Sequence, residues 1–210
     1  WPIFVPLASL EVSVGTPRVS TARHSFIPKS KNRMKVIWHN LPQRSYIQFV
    51  GRNTELSEVI RRLLPYPKSQ YSVVTLSGVG GIGKSTLALE VAYYYIDQYQ
   101  NLPQKDRYQA IIWISGKRNI LTADGIRLRR SEFNTLDDIF TVIAVTLGLE
   151  HILKAPINEQ EALIRRALKR QRTLLILDNL ETVDDQRVQS FLYELPAPTK
   201  AIITTRHRID

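Results

Sequence analysis

Apolar residues along the chain alternate between short continuous runs and longer stretches with a period near 3.6. The continuous runs are bounded by polar or turn residues, which is typical of buried strands. They lie at residues 71–77, 109–115, 173–178 and 200–205. Because strands that alternate with helices pair in parallel through right-handed crossovers, the pattern predicts an α/β fold of three layers. We expect a mainly parallel sheet with helices on both faces.

Capping patterns mark where three of the helices should begin. Asn53 precedes a stretch with one apolar face and is predicted to be its N-cap. Thr135 and Asp138 form a capping-box pair ahead of the next apolar stretch. Asn158, with Glu161 three residues later, is predicted to cap a further helix that ends near residue 170.

Two further helices and one loop complete this outline. Apolar residues between 88 and 95 recur at helical spacing, and a short helix is predicted from about 184 to 195. The stretch 117–130 is polar and irregular, so we predict a loop there.

The densest cluster of glycines lies between the run at 71–77 and the helical stretch that follows it. It fits the phosphate-binding pattern G-x-x-x-x-G-K-[ST] with the residues Gly78, Val79, Gly80, Gly81, Ile82, Gly83, Lys84 and Ser85. Glycines let the backbone turn its N–H groups toward a phosphate, and the following helix adds free N–H groups and its positive dipole end. We therefore expect Lys84 to reach the β- and γ-phosphates of a nucleotide and the Ser85 hydroxyl to bind Mg²⁺.

Such a site also needs a carboxylate that orients Mg²⁺. Asp178 ends the fully apolar run 173–178, and ligands of open α/β sheets gather at the carboxyl ends of the strands. The other interpretation of Asp178 is an ordinary turn aspartate after a strand. With a phosphate loop upstream, the sequence favours a magnesium ligand.

The group that would activate water for hydrolysis is less clearly marked. Asp178 is followed by Asn179, whose amide can orient water but cannot accept its proton. Glu181 is the nearest carboxylate after Asp178, and it is either that base or a solvated loop residue. Our hypothesis is slow or conditional hydrolysis with Glu181 as the base.

The last apolar run ends in two threonines followed by Arg206. A strand next to the one that carries Asp178 would bring these side chains to the same rim of the sheet. Arg206 is therefore a candidate sensor of the γ-phosphate through a charge-assisted contact. The alternative is an ordinary surface arginine.

Five motifs, in this order, resemble those of the NB-ARC group of STAND nucleotide-binding switches, which are related to plant disease-resistance proteins and the apoptosome scaffold. They are FVGRNTEL, GVGGIGKSTLA, AIIWIS, LLILDNLE and IITTR. The resemblance covers about residues 48–208, and the LDNLE form is more similar to bacterial members than to plant ones.

The resemblance implies roles for individual residues and for the whole protein. Phosphates and magnesium would be held by Gly81, Gly83, Lys84, Ser85 and Thr86, the adenine and ribose would be bordered by Val50, Gly51 and Arg52, and the Walker B acid and the sensor would be Asp178 and Arg206. It implies ATP or ADP with Mg²⁺ as cofactors and a homo-oligomer in the full-length protein. The family's effector domain, winged helix and sensor repeats are not recognisable in this sequence.

Composition narrows the remaining classes of protein and of site. Hydrophobic residues make up 43% of the chain and charged residues 23%, as is ordinary for a globular domain. The chain contains no cysteine, which excludes disulfides and thiolate metal sites, and its four histidines have no ligand spacing. No apolar run approaches the roughly 18 residues of a membrane span, and the first ten residues lack a basic n-region. We expect a cytoplasmic protein with no membrane partner.

The two ends of the chain differ from its middle. Residues 1–45 show neither period and contain five prolines, so we interpret them as a poorly ordered leader or linker and 46–210 as the nucleotide-binding domain. Because the chain begins with Trp1 and has a single methionine, Met34, translation from Met34 is one hypothesis. The last ten residues supply a strand and the start of a loop, so we expect the domain to be truncated at its C-terminal end.

Positive charge is concentrated near the N-terminus. Of the formal net charge of +10, residues 1–40 contribute six basic side chains against Glu11 as the single acid. Such a segment is either a nucleic-acid arm or a solvated tail.

Three functions compete as interpretations of the sequence: an ATP/ADP-dependent signalling switch of bacterial defence or regulation with weak hydrolysis, a conventional P-loop ATPase or kinase, and a nucleic-acid-binding regulator. The last ranks third because the usual basic reader motifs interleaved with aromatics are absent from the sequence.

Overall fold

A computed structural model describes residues 3–5, 37–44, 46, 49–116, 119–122, 125–128 and 135–206. The strands in these residues are β1 (Ile3–Val5), β2 (Trp38–His39), β3 (Val73–Ser77), β4 (Ala110–Ser115), β5 (Asn119–Thr122), β6 (Gly125–Leu128), β7 (Thr173–Asp178) and β8 (Lys200–Thr205). Six of them form one sheet in the order β1-β3-β8-β7-β4-β2, in which every neighbouring pair is parallel. The predicted parallel sheet is confirmed.

Helices connect the strands of this sheet. The α-helices of the described residues are α1 (Asn53–Leu63), α2 (Lys84–Asp97), α3 (Leu136–Thr146), α4 (Ile157–Arg170) and α5 (Gln186–Tyr193). Short 3-10 helices span Gln104–Asp106, Glu150–Lys154 and Leu180–Thr182. Within the same residues, no helix combines the length and the apolarity that crossing a bilayer requires.

The sheet separates two apolar cores, one on each face. Along β7, Leu174 and Ile176 pack into the core that α1 and α2 cover. Leu175 and Leu177 pack into the other core, beneath α3, α4 and α5. Because successive side chains of a strand point to opposite faces, a strand buried on both faces must be apolar throughout. This explains the continuous runs in the sequence and confirms the three-layer α/β fold.

The register of the sheet aligns the ends of its central strands. Ser77 at the end of β3 lies opposite Thr205 of β8, and Ser115 at the end of β4 lies opposite Asp178 of β7. Four polar residues therefore form a row along the carboxyl edge, directly beside the loop that follows Ser77. This is the edge at which ligands of open α/β sheets bind.

One of the three predicted helix caps is confirmed and two are wrong. At the start of α3, the Asp138 amide donates to the Thr135 hydroxyl at 3.2 Å and the Thr135 amide donates to the Asp138 carboxylate at 3.0 Å. α1, however, begins at Asn53 itself, because Arg52 takes the cap position in a left-handed conformation with φ 56°. α4 begins at Ile157 rather than after Asn158, because Pro156 occupies its cap position.

The predicted loop at 117–130 is wrong in part. Asn119–Thr122 and Gly125–Leu128 pair as antiparallel strands, with Thr122 opposite Gly125. Each strand has only two large apolar residues, Ile120 and Leu121 in one and Ile126 and Leu128 in the other, and the polar composition of the whole stretch obscures them.

The boundary predicted at residue 46 is too late. Trp38–His39 pairs with β4, and Ile37 and Leu41 are buried in the core beneath α2. The Asn40 side chain also donates to the carbonyl of Trp113 at 2.8 Å and accepts from its amide at 2.7 Å, as a neighbouring strand would. Alternation is not detectable in two residues, which is why the sequence hides this strand. Met34 and the six basic residues of the N-terminal segment lie outside the described residues.

The opposite edge of the sheet buries two cations against the end of α1. Lys200 Nζ donates to the carbonyl of Arg62 at 3.1 Å, and Arg172 donates to the carbonyl of Leu63 at 2.7 Å. The carbonyl end of a helix carries partial negative charge, which favours cations there. Burial, reinforced by the nearby Arg172 charge, nevertheless lowers the pKa of Lys200 to about 8.

This lowered pKa predicts a stability that changes with pH. Between pH 8 and 10.5 the folded protein has released a proton from Lys200 that the unfolded chain still holds, so this group's destabilising effect disappears as the pH rises. Relative to Lys200→Met, the wild-type protein should gain about 2–3 kcal/mol of unfolding free energy between pH 7 and pH 10. Urea unfolding of both proteins at the two pH values measures this gain. Lys169→Met on the exposed face of α4 is the control, and the difference in stability between it and wild type should stay constant between the two pH values. A wild-type gain relative to Lys169→Met as large as that relative to Lys200→Met would contradict the prediction.

Candidate nucleotide-binding site

The glycine loop connects β3 to α2 at the carboxyl edge of the sheet. Its backbone is left-handed at three glycines, with φ 148° at Gly78, 80° at Gly81 and 94° at Gly83. Residues with a side chain rarely adopt such angles, so these glycines are required by the path of the chain. Gly83 is also the N-cap of α2, and it offers the helix no side-chain hydrogen bond. The start of α2 therefore presents the N–H groups and positive dipole end that suit an anion.

Lys84 lies within the curve of this loop. Its side chain is buried, and Nζ donates to the carbonyl of Gly78 at 2.7 Å and to that of Val79 at 3.0 Å. The ammonium group is thus held within the loop by two backbone carbonyls. Ser85 and Thr86 follow in the first turn of α2.

Asp178 is buried and held by hydroxyl groups from both neighbouring strands. Thr204 donates to Oδ1 at 2.7 Å, and Ser115 donates to Oδ2 at 3.3 Å. The same Thr204 hydroxyl oxygen accepts the amide of Asn179 at 2.9 Å, where the chain turns with φ 63°. One threonine therefore fixes both the carboxylate and the turn that follows it.

Arg206 and Glu181, predicted separately from the sequence, form one unit in the structure. Arg206 Nε lies 3.1 Å from Glu181 Oε1, and the Arg206 amide donates to Oε2 at 3.2 Å. The guanidinium lies against the phosphate loop, since a Cβ placed on Gly80 would be 3.6 Å from Arg206 Cζ. The end of β8 thus places Arg206 beside the loop.

The segment before α1 supplies a second arginine to the loop. Arg52 follows Gly51, and both take left-handed conformations that direct the Arg52 side chain toward the glycines. A Cβ on Gly83 would lie 3.2 Å from its Nη1, a buried atom that has no hydrogen-bond partner within the described residues. Burial lowers the pKa of Arg52. Val50, next to it, exposes 79% of its surface.

These contacts test whether the residues fit a phosphate-bearing ligand. Three cationic groups, those of Arg52, Lys84 and Arg206, converge on a loop of fewer than ten residues. One of them leaves a buried N–H donor without an acceptor, and a buried donor of this kind costs about 1–3 kcal/mol unless a partner satisfies it. An anion with several acceptor oxygens would supply that partner, so the site fits a nucleotide phosphate chain.

Sequence reasoning missed two residues of this site, Ser115 and Gly116, and gave Thr204 a place at this rim but no role. Ser115 and Thr204 support Asp178, and their only sequence signal is that each lies at or near the end of an apolar run. Gly116 follows β4 and has no room for a side chain, because a Cβ there would collide with Thr182 Oγ1. That close approach is set by the packing of two loops and leaves no pattern in the sequence.

Comparison with protein families gives a clear match. Residues 48–201 match the family described as AAA ATPase domain, and these residues make up most of the chain. The match includes the glycine loop and Asp178, and it ends at the second residue of β8. No solved structure shows a significant match to the chain.

Three curated proteins are similar to this chain over most of its length. Transcription activator GutR of Bacillus subtilis (strain 168) is 31% identical over 177 residues, which cover 82% of this chain and 19% of GutR. Probable disease resistance protein RXW24L of Arabidopsis thaliana is 23% identical over 176 residues, or 84% of this chain and 18% of its own. Regulatory protein AfsR of Streptomyces griseus is 27% identical over 161 residues, or 77% and 14%. The chain spans less than a fifth of each relative.

Proposed function

The chain belongs to the AAA ATPase domain family, and from this premise we propose that it binds ATP and ADP with Mg²⁺ as the nucleotide-dependent switch of a larger regulatory protein. The observation that carries the proposal is the glycine loop. Its left-handed glycines and the start of α2, with no side-chain cap, surround a buried Lys84. This arrangement suits a chain of phosphates and has no evident purpose in packing.

Each part of the site has a role in this proposal. The backbone from Gly78 through Gly80, Gly81, Ile82 and Gly83 surrounds the phosphates, and Lys84 contacts the terminal ones. Ser85 and Asp178 hold Mg²⁺, which when bound neutralises charge on the phosphate oxygens. Thr86 adds a hydroxyl at the helix start. Val50, Gly51 and Arg52 border the adenine and ribose, with Val50 offering an exposed apolar surface.

The site also favours weak hydrolysis over rapid turnover. The position after Asp178 holds Asn179, whose side chain cannot accept a proton from water. Glu181, the nearest carboxylate, is paired with Arg206. Slow hydrolysis suits a switch whose state depends on which nucleotide is bound.

We also propose, from the relatives of this chain, the type of protein to which it belongs. Their names are those of a transcription activator, a regulatory protein and a probable disease resistance protein. We place the chain in the NB-ARC type of STAND switch, a cytoplasmic protein that forms a homo-oligomer when full-length effector and sensor domains accompany it. A name such as transcription activator also keeps nucleic-acid binding by the larger protein as a second candidate.

Nucleotide titration tests the proposal directly. With Mg²⁺ present, isothermal titration of the 210-residue chain should show binding of ATP and ADP, with turnover well below the typical enzyme value of about 10 per second. Rapid turnover, or phosphate transfer to an acceptor, would favour the conventional ATPase or kinase. No binding of either nucleotide at millimolar concentration would refute the proposal.

Thr204 provides a test of how Asp178 is oriented. Thr204→Val removes the hydroxyl that bridges Asp178 and Asn179, whereas Thr204→Ser keeps it. Groups that orient metal ligands typically contribute 10- to 100-fold to metal affinity. The valine variant should therefore need about ten times more Mg²⁺ than wild type to support ATP binding. The serine variant should stay close to wild type. Equal Mg²⁺ titrations for the two variants would show that the hydroxyl does not orient Asp178.

A further inference from the structure

We propose that Glu181 is a positioning residue, which holds Arg206 beside the phosphate loop for the terminal phosphate of ATP, and that it is not the base that activates water. The inference rests on the proposed function and deepens it, because it names the residue pair that would distinguish ATP from ADP at this site.

The Glu181 carboxylate contacts Arg206 with both of its oxygens. Both of its oxygens are engaged by the same residue, Oε1 with Arg206 Nε at 3.1 Å and Oε2 with the Arg206 amide at 3.2 Å. The Glu181 side chain is 10% exposed, whereas that of Arg206 is 60% exposed. A general base needs an oxygen directed at the water that it deprotonates. This carboxylate is aimed at Arg206 instead.

The loop that carries Glu181 is itself fixed on both sides. The amide of Asn179, where the chain turns, donates to Thr204 of β8. The Thr182 hydroxyl lies 2.9 Å from the carbonyl oxygen of Asn179 and 3.1 Å from that of Gly116, which follows β4. Glu181 lies between these two attachments, so its carboxylate is a fixed partner for the exposed Arg206 side chain.

Arg206 is held in an orientation that suits a phosphate. The ion pair uses Nε, and neither terminal nitrogen of the guanidinium hydrogen-bonds elsewhere in the described chain. The group lies at Gly80, next to the two residues whose carbonyls accept from Lys84. A long exposed side chain loses rotamer freedom when it binds a ligand, and a partner that restrains it beforehand removes part of that cost. Only ATP has a γ-phosphate, so the gain in affinity should be specific to ATP.

Affinities for a slowly hydrolysed ATP analogue and for ADP test this inference. With Mg²⁺ present, Glu181→Ala should weaken binding of the analogue about 3- to 10-fold and leave ADP binding unchanged. Arg206→Ala should weaken binding of the analogue about tenfold or more. The double variant should bind no more weakly than Arg206→Ala alone, because Glu181 acts only through Arg206. Glu181→Gln keeps an oxygen acceptor for Nε and should fall between wild type and Glu181→Ala.

A matched control and the opposing outcomes make the test decisive. Glu194→Ala removes another glutamate that pairs with an arginine, Arg165 at 3.2 Å, but at the end of α5 and outside the site. Its affinities should equal those of wild type. Additive losses in the double variant, equal losses for ADP and analogue, or unchanged analogue binding in Glu181→Ala would each overturn the inference. So would a Glu181→Gln variant that binds the analogue normally and has lost hydrolysis, since that result would restore the base.

The result for the wild-type protein separates this inference from the proposed function. A wild type that binds neither nucleotide refutes both. A wild type that binds both nucleotides, with an unchanged analogue-to-ADP ratio in Glu181→Ala, refutes only the positioning role.

Discussion

Replacing Lys84 with methionine should weaken binding of both ATP and ADP by about 30- to 1,000-fold, or roughly 2–4 kcal/mol. Methionine keeps most of the volume of the side chain and removes its charge and its hydrogen-bond donors. Lys84 is 8% exposed, and its Nζ lies between the carbonyls of Gly78 and Val79. Charge-assisted contacts are strong in such a shielded position because little water competes for them.

The control for this variant separates lost binding from lost structure. Lys105→Met removes an exposed lysine from the 3-10 helix before β4, and its affinities should equal those of wild type. Thermal unfolding of the Lys84 variant shows whether the loop survives without the two Nζ hydrogen bonds. Normal nucleotide affinity in a folded Lys84→Met protein would remove the basis for placing phosphates in the glycine loop.

Replacing Glu90 with leucine should destabilise the fold by about 3–5 kcal/mol, a large share of the roughly 5–15 kcal/mol that stabilises a typical domain. Glu90 lies on α2 and is 2% exposed. Its Oε1 is 2.7 Å from Arg44 Nε and also accepts the Tyr46 hydroxyl. Burial, and then the hydrogen bond to Glu90, raise the pKa of Tyr46 well above its ordinary value, so it remains a donor. Without Glu90, the Arg44 charge is left shielded from water and uncompensated.

A double variant provides the internal control for Glu90. Arg44→Met combined with Glu90→Leu removes both charges and replaces them with apolar side chains of similar length. Replacement of a buried pair in this way is often neutral, so the double variant should regain most of the loss, as measured by urea unfolding. Arg44→Met alone completes the comparison. If its loss of stability and that of Glu90→Leu simply add in the double variant, then the ion pair does not join the segment before residue 46 to α2.

Much of this fold could be predicted from the sequence, because the strongest signals are local. A strand buried on both faces is apolar in its centre, as in β4, β7 and β8, and its ends are then visible where polar residues resume. The capping box of Thr135 and Asp138 is likewise formed by residues three positions apart. The caps predicted at Asn53 and Asn158 failed because the preceding residues, Arg52 and Pro156, take the cap positions instead.

The elements that could not be predicted depend on partners that are distant in the chain. β2 has two residues, and it exists because Trp38 pairs with Ala110 of β4. Asn40 contributes through two hydrogen bonds to Trp113, 73 positions away. No window of sequence contains both partners of either contact. The β5–β6 hairpin is different, since its paired residues are close in the chain and their few apolar side chains were outweighed by the polar composition around them.

By itself, the sequence determined that the chain is an α/β domain with a phosphate loop followed by Lys84 and Ser85, because these features depend on residues that are adjacent in the chain. It also marked Asp178 and Arg206 as the ends of two strands. Only the tertiary structure decided how they are used. The order of β3, β8 and β7 brings Thr204 to Asp178, Arg206 to Gly80 and Glu181 to Arg206. The strand order and register that create these contacts are properties of the whole sheet, and no single motif specifies them.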